Sequence, residues 1–124
     1  MRVLIADDQA DVRSALMILL EHMNDDFNFE EAEDAAGLFE KAVTFRPDLI
    51  LLDWELSGSS MWDEVSNLRK LARGTAIIAL SSRPEAARTA RAAGVDAFVS
   101  KGENSDALLA AIQKVKRETG QPAR

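Results

Sequence analysis

The chain has 124 residues, 47% of them hydrophobic and 29% charged, with 21 acidic against 15 basic side chains and a formal net charge of −6. That length suits one domain with a real core, and the acidic balance argues against nonspecific grip on nucleic acid. The sequence has no cysteine and a single histidine, His22, which excludes disulfides, thiolate metal sites, multi-histidine centres and a triad built on a second histidine.

Met1 to Ile5 lead straight into a strand pattern, with no charged region before a long apolar stretch. No apolar run approaches the length of a membrane span, so a cytoplasmic domain without membrane contact is expected. Arg2–Ala6 reads as a first strand, closed by Asp7-Asp8. Asp11 to Met23 reads as a helix with Val12, Ala15, Leu16, Leu19 and Leu20 on one face, and Asn24–Asp26 as a turn. Phe27 to Ala32 is a second strand, and Ala35 to Phe45 a helix that Pro47 stops.

Asp48 to Asp53 is the strongest strand. Its nearly unbroken apolar run predicts a central position covered on both faces. Gly58, Ser59 and Ser60 form a loop, with Ser60 as the expected N-cap of a helix over Met61 to Leu71 that ends near Gly74. Thr75–Leu80 is a fourth strand. Pro84 suits a first helical turn, and Glu85 to Ala93 a helix capped by Gly94. Asp96–Ser100 is the fifth strand, and a last helix, capped by Asn104 or Ser105, runs through Lys116. Residues 1–117 form the predicted domain, and 118–124, with Gly120-Gln121-Pro122, a tail or the start of a linker.

Five β-α units in strict alternation predict an α/β domain, a parallel sheet with helices on both faces. In such sheets ligands lie beyond the carboxyl ends of the strands, where the strand order reverses. Asp7 and Asp8 follow the first strand, Asp53 ends the third, Ser81 and Ser82 follow the fourth and Lys101 the fifth. Glu33 and Asp34 end the second, at an expected sheet edge. Carboxylates this close repel by several kcal/mol, on the order expected at intermediate dielectric. A hard divalent cation removes that penalty, and Mg²⁺ with its oxygen ligands is the expected cofactor. Asp53 then supplies a carboxylate nucleophile. Asp7 and Asp8 hold the metal, with the backbone carbonyl of Glu55 as a further ligand. Lys101 places a positive charge on a phosphate oxygen, and the Ser81 hydroxyl, preferred to Ser82, donates to another.

The set Asp7-Asp8, Asp53, Ser81 and Lys101 resembles the receiver domain of two-component response regulators in order, strand-end placement and spacing, over essentially the whole chain. The resemblance, and not the periodicity, implies a flavodoxin-like (βα)5 fold with strand order 2-1-3-4-5. It implies that Asp53 accepts a phosphoryl group from a histidine kinase or phosphotransfer protein. It also implies that Asp7 and Asp8 are the acidic pair, Ser81 the switch hydroxyl, Lys101 the site lysine and Phe98 the aromatic that moves with the phosphorylated state. The stretch Ala92 to Lys101 is similar to receivers that precede a helix-turn-helix output domain. The implied readout surface is the fourth helix, fifth strand and fifth helix, serving an output domain, a partner protein or a homodimer formed on phosphorylation.

This sequence departs from the family at Leu56-Ser57 after the acceptor strand, at Met61 where a glycine is usual, and at Gly102 where proline often follows the lysine. Trp54 and Trp62 near the site are further departures. A switch rather than a turnover enzyme is expected. Two alternatives stand beside it: a degenerate receiver acting as a docking or dimerisation module, and a Mg²⁺-dependent aspartyl phosphatase in which Glu55 serves as the second carboxylate. A flavin site is disfavoured, because three acids would repel the flavin phosphate. Of the remaining residues, His22 is expected at the surface, Trp62 against its helix or loop, and Glu30, Glu31 and Glu33 along a solvated edge.

Overall fold

In the computed structural model, which describes residues 1–23, 26–56 and 60–118, five strands form: β1 (Arg2–Ala6), β2 (Asn28–Ala32), β3 (Leu49–Asp53), β4 (Ala76–Ser81) and β5 (Ala97–Ser100). The helices between and after them are α1 (Ala10–Glu21), α2 (Ala35–Thr44), α3 (Met61–Leu71), α4 (Ala87–Ala93) and α5 (Ser105–Glu118), with a 3₁₀ turn at Pro84–Ala86 before α4. The strands are parallel and ordered β2-β1-β3-β4-β5. The order reverses between β1 and β3, so the crevice for a ligand opens at their carboxyl ends. The predicted turn residues Asn24 and Asp25, the loop residues Ser57, Gly58 and Ser59, and the tail from Thr119 lie outside the described residues.

Each strand is covered on both faces because alternate side chains point opposite ways. Leu4, Ile50, Leu52, Ile77 and Ala79 pack with Leu38, Val65, Leu68 and Ala90 of α2, α3 and α4. Val3, Ile5, Leu49, Leu51, Ile78 and Leu80 pack with Leu20 of α1 and Leu108, Ile112 and Val115 of α5. Leu49 to Leu52 are fully buried, at about 1.5–3 kcal/mol for each such side chain. That continuous burial is the structural reason for the apolar run in β3. The face predicted for α1 is less enclosed: only Leu20 is buried, Ala15 is exposed, and Val12, Leu16 and Leu19 line an open groove.

Several boundaries shift for local reasons. Asp48 and Asp96, expected inside strands, instead place carboxylates on neighbouring backbone: Asp48 Oδ2 accepts from Arg2 N at 2.8 Å, and Asp96 Oδ2 from Ile77 N at 2.7 Å and the Arg69 guanidinium at 2.6 Å. α1 ends at Glu21, because the His22 and Met23 N–H groups turn back to Leu19 and Leu20. Exposed His22 places Nδ1 2.7 Å from the Ile18 carbonyl. The predicted helix from Glu85 is split into the 3₁₀ turn and α4, which closes on Gly94 at φ 109°, a conformation that favours glycine. Ser60 occupies the N-cap of α3 but makes no side-chain cap; its carbonyl accepts from Glu64 N, and Asp63 and Glu64 favour the positive helix end. Asn104 Oδ1 accepts from Asp106 N at 3.1 Å, so Asn104 rather than Ser105 caps α5, which reaches Glu118, two residues beyond the expected end. On the edge strand, Glu30 pairs with Lys41 and Glu31 with Arg13, so this edge is salt-bridged rather than only solvated. No helix among the described residues is long and apolar enough to cross a membrane.

Asp34 caps α2, its Oδ1 accepting from Gly37 N at 2.8 Å. Asp34→Ala is expected to lower stability by about 1 kcal/mol, read as a lower urea midpoint with unchanged slope.

Candidate functional site

β1 stops at Ala6, yet Asp7 N still bonds the Ala32 carbonyl at 3.0 Å, so Asp7 continues the strand line and turns its carboxylate into the crevice. It is buried; its Oδ1 accepts from Gln9 N at 2.9 Å, and Arg13 holds its carbonyl at 2.6 Å. Asp8 follows and is exposed. Asp53, the last residue of β3, is 4% exposed, and its Oδ1 accepts from Glu55 N at 3.1 Å. A carboxylate oxygen from each of Asp7, Asp8 and Asp53 lies within 4.8 Å of the others.

Lys101 leaves β5 with its N–H on the Ser81 carbonyl at 2.8 Å. Its ammonium reaches Asp7 Oδ2 at 2.9 Å and Asp53 Oδ1 at 3.3 Å, with the side chain 27% exposed. One ammonium therefore contacts two of the three clustered carboxylates. Burial lowers the Lys101 pKa, but the hydrogen bond to Asp7 and the charges of Asp53 and Asp7 outweigh it and hold the pKa above 10.5. Burial is also the largest influence on Asp53, and with the Asp7 charge it raises the carboxyl above 3.8 against the opposing Glu55 N–H and Lys101. The uncompensated charge and hard oxygen donors fit a divalent cation such as Mg²⁺. Asp7, Asp8 and Asp53 would hold it; the side chain of Glu55 is bonded elsewhere, as described below.

A raised carboxyl pKa makes the folded state bind its proton more tightly than the unfolded chain does. The contribution of Asp53 to stability is thus largest at low pH and falls as pH rises from 3.8 through its folded value. At pH 7 without metal, Asp53→Asn is expected to stabilise the protein by on the order of 1 kcal/mol, the desolvation cost net of the lost Lys101 contact. Urea unfolding in EDTA checks this. A lower midpoint for the variant contradicts it, as does Mg²⁺ stabilising variant and wild type equally.

Ser81, buried at the end of β4, donates from Oγ to Glu55 Oε2 at 2.7 Å and accepts from Arg83 N at 3.0 Å; Ser82 is exposed. Phe98 sits on β5 beside Ala79 of β4, its ring partly buried against the cluster under α3 and α4. The structure therefore brings together Asp7, Asp8, Asp53 and Lys101, with Ser81 at the next strand end and Phe98 apart on β5, the strand that Lys101 follows. Trp54 is buried, Met61 is buried, and Trp62 is exposed rather than packed down. Sequence reasoning missed Arg13, Arg83 and the bond between the Glu55 side chain and Ser81. Glu55 stands two residues after Asp53 and Arg83 two after Ser81, opposite charges at equal offsets from adjacent strand ends; that was the available signal. Beside the acids, a groove of ≈ 410 Å³ between α1 and α5 is lined by Val12, Leu16, Leu19, Leu80, Val99 and Leu108, with Lys101 also on its wall.

Residues 3–113 match the family profile described as response regulator receiver domain. The phosphate regulon transcriptional regulatory protein PhoB of Escherichia coli (strain K12) is 31% identical over 120 residues, covering 94% of this chain and 52% of that protein. The sensory transduction protein LytT of Bacillus subtilis (strain 168) is 29% identical over 117 residues, covering 94% and 48%. The chain spans about half the length of the curated relatives it matches. Among solved structures, a CheY-like receiver domain protein from Methanospirillum hungatei JF-1 superposes with a TM-score of 0.84 at 24% identity, covering 97% of this chain and 96% of that one. The response regulator TrrA from Thermotoga maritima, solved in complex with Mg²⁺–BeF, gives 0.82 at 25% identity, covering 92% and 97%.

Proposed function

The chain belongs to the response regulator receiver domain family of two-component signalling, and on that premise we propose that it is a phosphoacceptor switch in which Asp53 takes a phosphoryl group from the phosphohistidine of a histidine kinase or phosphotransfer protein. The observation that carries this reading is the buried Asp53 carboxylate packed with Asp7, Asp8 and the Lys101 ammonium at the sheet's carboxyl rim.

An Asp53 oxygen attacks phosphorus; the new P–O bond forms as the P–N bond breaks, and the donor imidazole departs with the electron pair. Bound Mg²⁺ supplies charge that neutralises the phosphoryl and carboxylate oxygens. Asp7, Asp8 and Asp53 would hold that ion, with the Glu55 backbone carbonyl as a further ligand. Lys101 anchors a phosphoryl oxygen with a compact charge. Ser81 donates its hydroxyl to another, and Phe98 shifts inward with it, biasing the surface of α4, β5 and α5. The apolar groove between α1 and α5, opening beside Lys101, suits a helical phosphodonor. The modified surface signals in the cytoplasm to a partner protein, a second copy of this chain or an output domain. A DNA-binding output is suggested by the transcriptional role in the name of the PhoB relative, the receiver itself making no direct nucleic acid contact.

This is a self-phosphorylating and self-dephosphorylating switch, not a turnover enzyme. Incubation with acetyl phosphate and Mg²⁺ tests it by intact mass: one added phosphoryl group is expected, and none when EDTA is present throughout the incubation. Multiple turnover on a phosphomonoester would instead favour the phosphatase reading, with Glu55 as acid and base. Absence of both activities would favour the docking module.

A further inference from the structure

The Ser81 hydroxyl has one proton to donate, and that proton is engaged. Oγ donates to Glu55 Oε2 at 2.7 Å, and the same Oε2 lies 3.4 Å from the Arg83 guanidinium. Arg83 N in turn donates to Ser81 Oγ at 3.0 Å. These contacts tie the segment after β3 to the segment after β4, beside Asp53.

We propose that Glu55 is a positioning residue that holds the Ser81 proton away from the phosphoryl position and so sets how readily Asp53 becomes phosphorylated. The inference rests on the phosphoacceptor reading given above. A hydrogen bond to a carboxylate is shorter and stronger than a neutral one. An aspartyl phosphate presents anionic oxygens that require the same proton, so the carboxylate and the phosphoryl group compete for one donor. Release is available, because the Glu55 and Arg83 side chains are 34% and 57% exposed and Arg83 already touches the carboxylate. Glu55 therefore has two partners, the hydroxyl and the guanidinium, and phosphorylation moves it toward the second. As a structural contact the exposed Glu55–Arg83 ion pair contributes little, and Glu55→Gln keeps an acceptor for the buried Ser81 hydroxyl.

The test compares wild type, Glu55→Ala, Glu55→Gln, Ser81→Ala and the double variant Glu55→Ala/Ser81→Ala. Each is incubated with sub-saturating acetyl phosphate and saturating Mg²⁺; phosphoryl passes to Asp53 and acetate leaves with the electron pair. Glu55→Ala is expected to be phosphorylated about tenfold faster than wild type, the net worth of one charge-assisted hydrogen bond. Glu55→Gln, which accepts the bond without the charge, falls between them. In the Ser81→Ala background the Glu55 change has less than a roughly twofold effect, and Mg²⁺ affinity, read by tryptophan fluorescence, also changes less than about twofold. The proposal is overturned if Glu55→Ala is no faster than wild type or if its gain persists in the Ser81→Ala background. It is equally overturned if Mg²⁺ affinity falls roughly tenfold, which would make the Glu55 side chain a metal contact. Wild type that takes up no phosphoryl group sinks the phosphoacceptor reading together with this one. Phosphorylated wild type matched by Glu55→Ala sinks this inference alone.

Discussion

Asp53→Asn is expected to reduce phosphoryl uptake from acetyl phosphate at least ~100-fold, to the limit of detection by intact mass. The amide oxygen carries no full negative charge and its lone pair is delocalised, so it is a poor nucleophile toward phosphorus. The shape of the site is preserved, since the Glu55 N–H still has an oxygen to meet at the Asp53 position. Loss of uptake would therefore report chemistry rather than collapse, and the higher metal-free stability expected of the same variant supplies the control. Uptake that survives the substitution would move the acceptor to another side chain.

Lys101→Ala carries the second large effect, on stability as well as reactivity. Its ammonium contacts both buried carboxylates at 2.9 and 3.3 Å. Removing it leaves Asp7 and Asp53 facing each other without that counter-charge. In EDTA at pH 7 stability is expected to fall by about 2 kcal/mol, below the ~3–5 kcal/mol of a fully buried pair because the lysine is partly hydrated. Mg²⁺ should return part of the loss by mass action. Phosphoryl uptake should fall on the order of 100-fold, the scale for deleting one preorganised charge at a reacting centre. The sign of the pH dependence follows from the raised lysine pKa: its contribution is complete below 10.5 and is lost as pH rises through the higher folded value. Wild-type stability should thus fall in strongly alkaline solution, and that alkaline loss should be smaller in Lys101→Ala. Urea titrations with and without Mg²⁺ measure these shifts; equal midpoints for wild type and variant in EDTA would contradict them.

The β-α alternation was legible because a parallel sheet buried on both faces needs unbroken apolar strands, and Leu49 to Leu52 supply one. The site was legible for a related reason. Asp7, Asp53, Ser81 and Lys101 all stand at the carboxyl ends of strands, so knowing the strands places the side chains on one rim. The strand order itself came from family resemblance, since periodicity does not say which strands are neighbours.

Other features depend on tertiary contacts that no local pattern encodes. Asp48 and Asp96 look like strand residues until their carboxylates are seen on the backbone N–H groups of Arg2 and Ile77. The open face of α1 depends on how far α5 lies from it, and hydrophobic spacing along one helix says nothing of that distance. Glu55 entered the sequence reading through its backbone carbonyl and, in the phosphatase alternative, as a second carboxylate. Its side chain's bond to Ser81 follows from the approach of two loops, 26 residues apart in the chain.

The most direct measurement is to trap the modified protein with borohydride, which reduces an acyl phosphate at aspartate to homoserine, and to map the peptides after incubation with acetyl phosphate and Mg²⁺. Homoserine at position 53, absent when Mg²⁺ is withheld, is the predicted result. Reduction at a different acid, or at position 53 to the same extent without the metal, would contradict a phosphoryl group placed on Asp53 through a cation held by its neighbours.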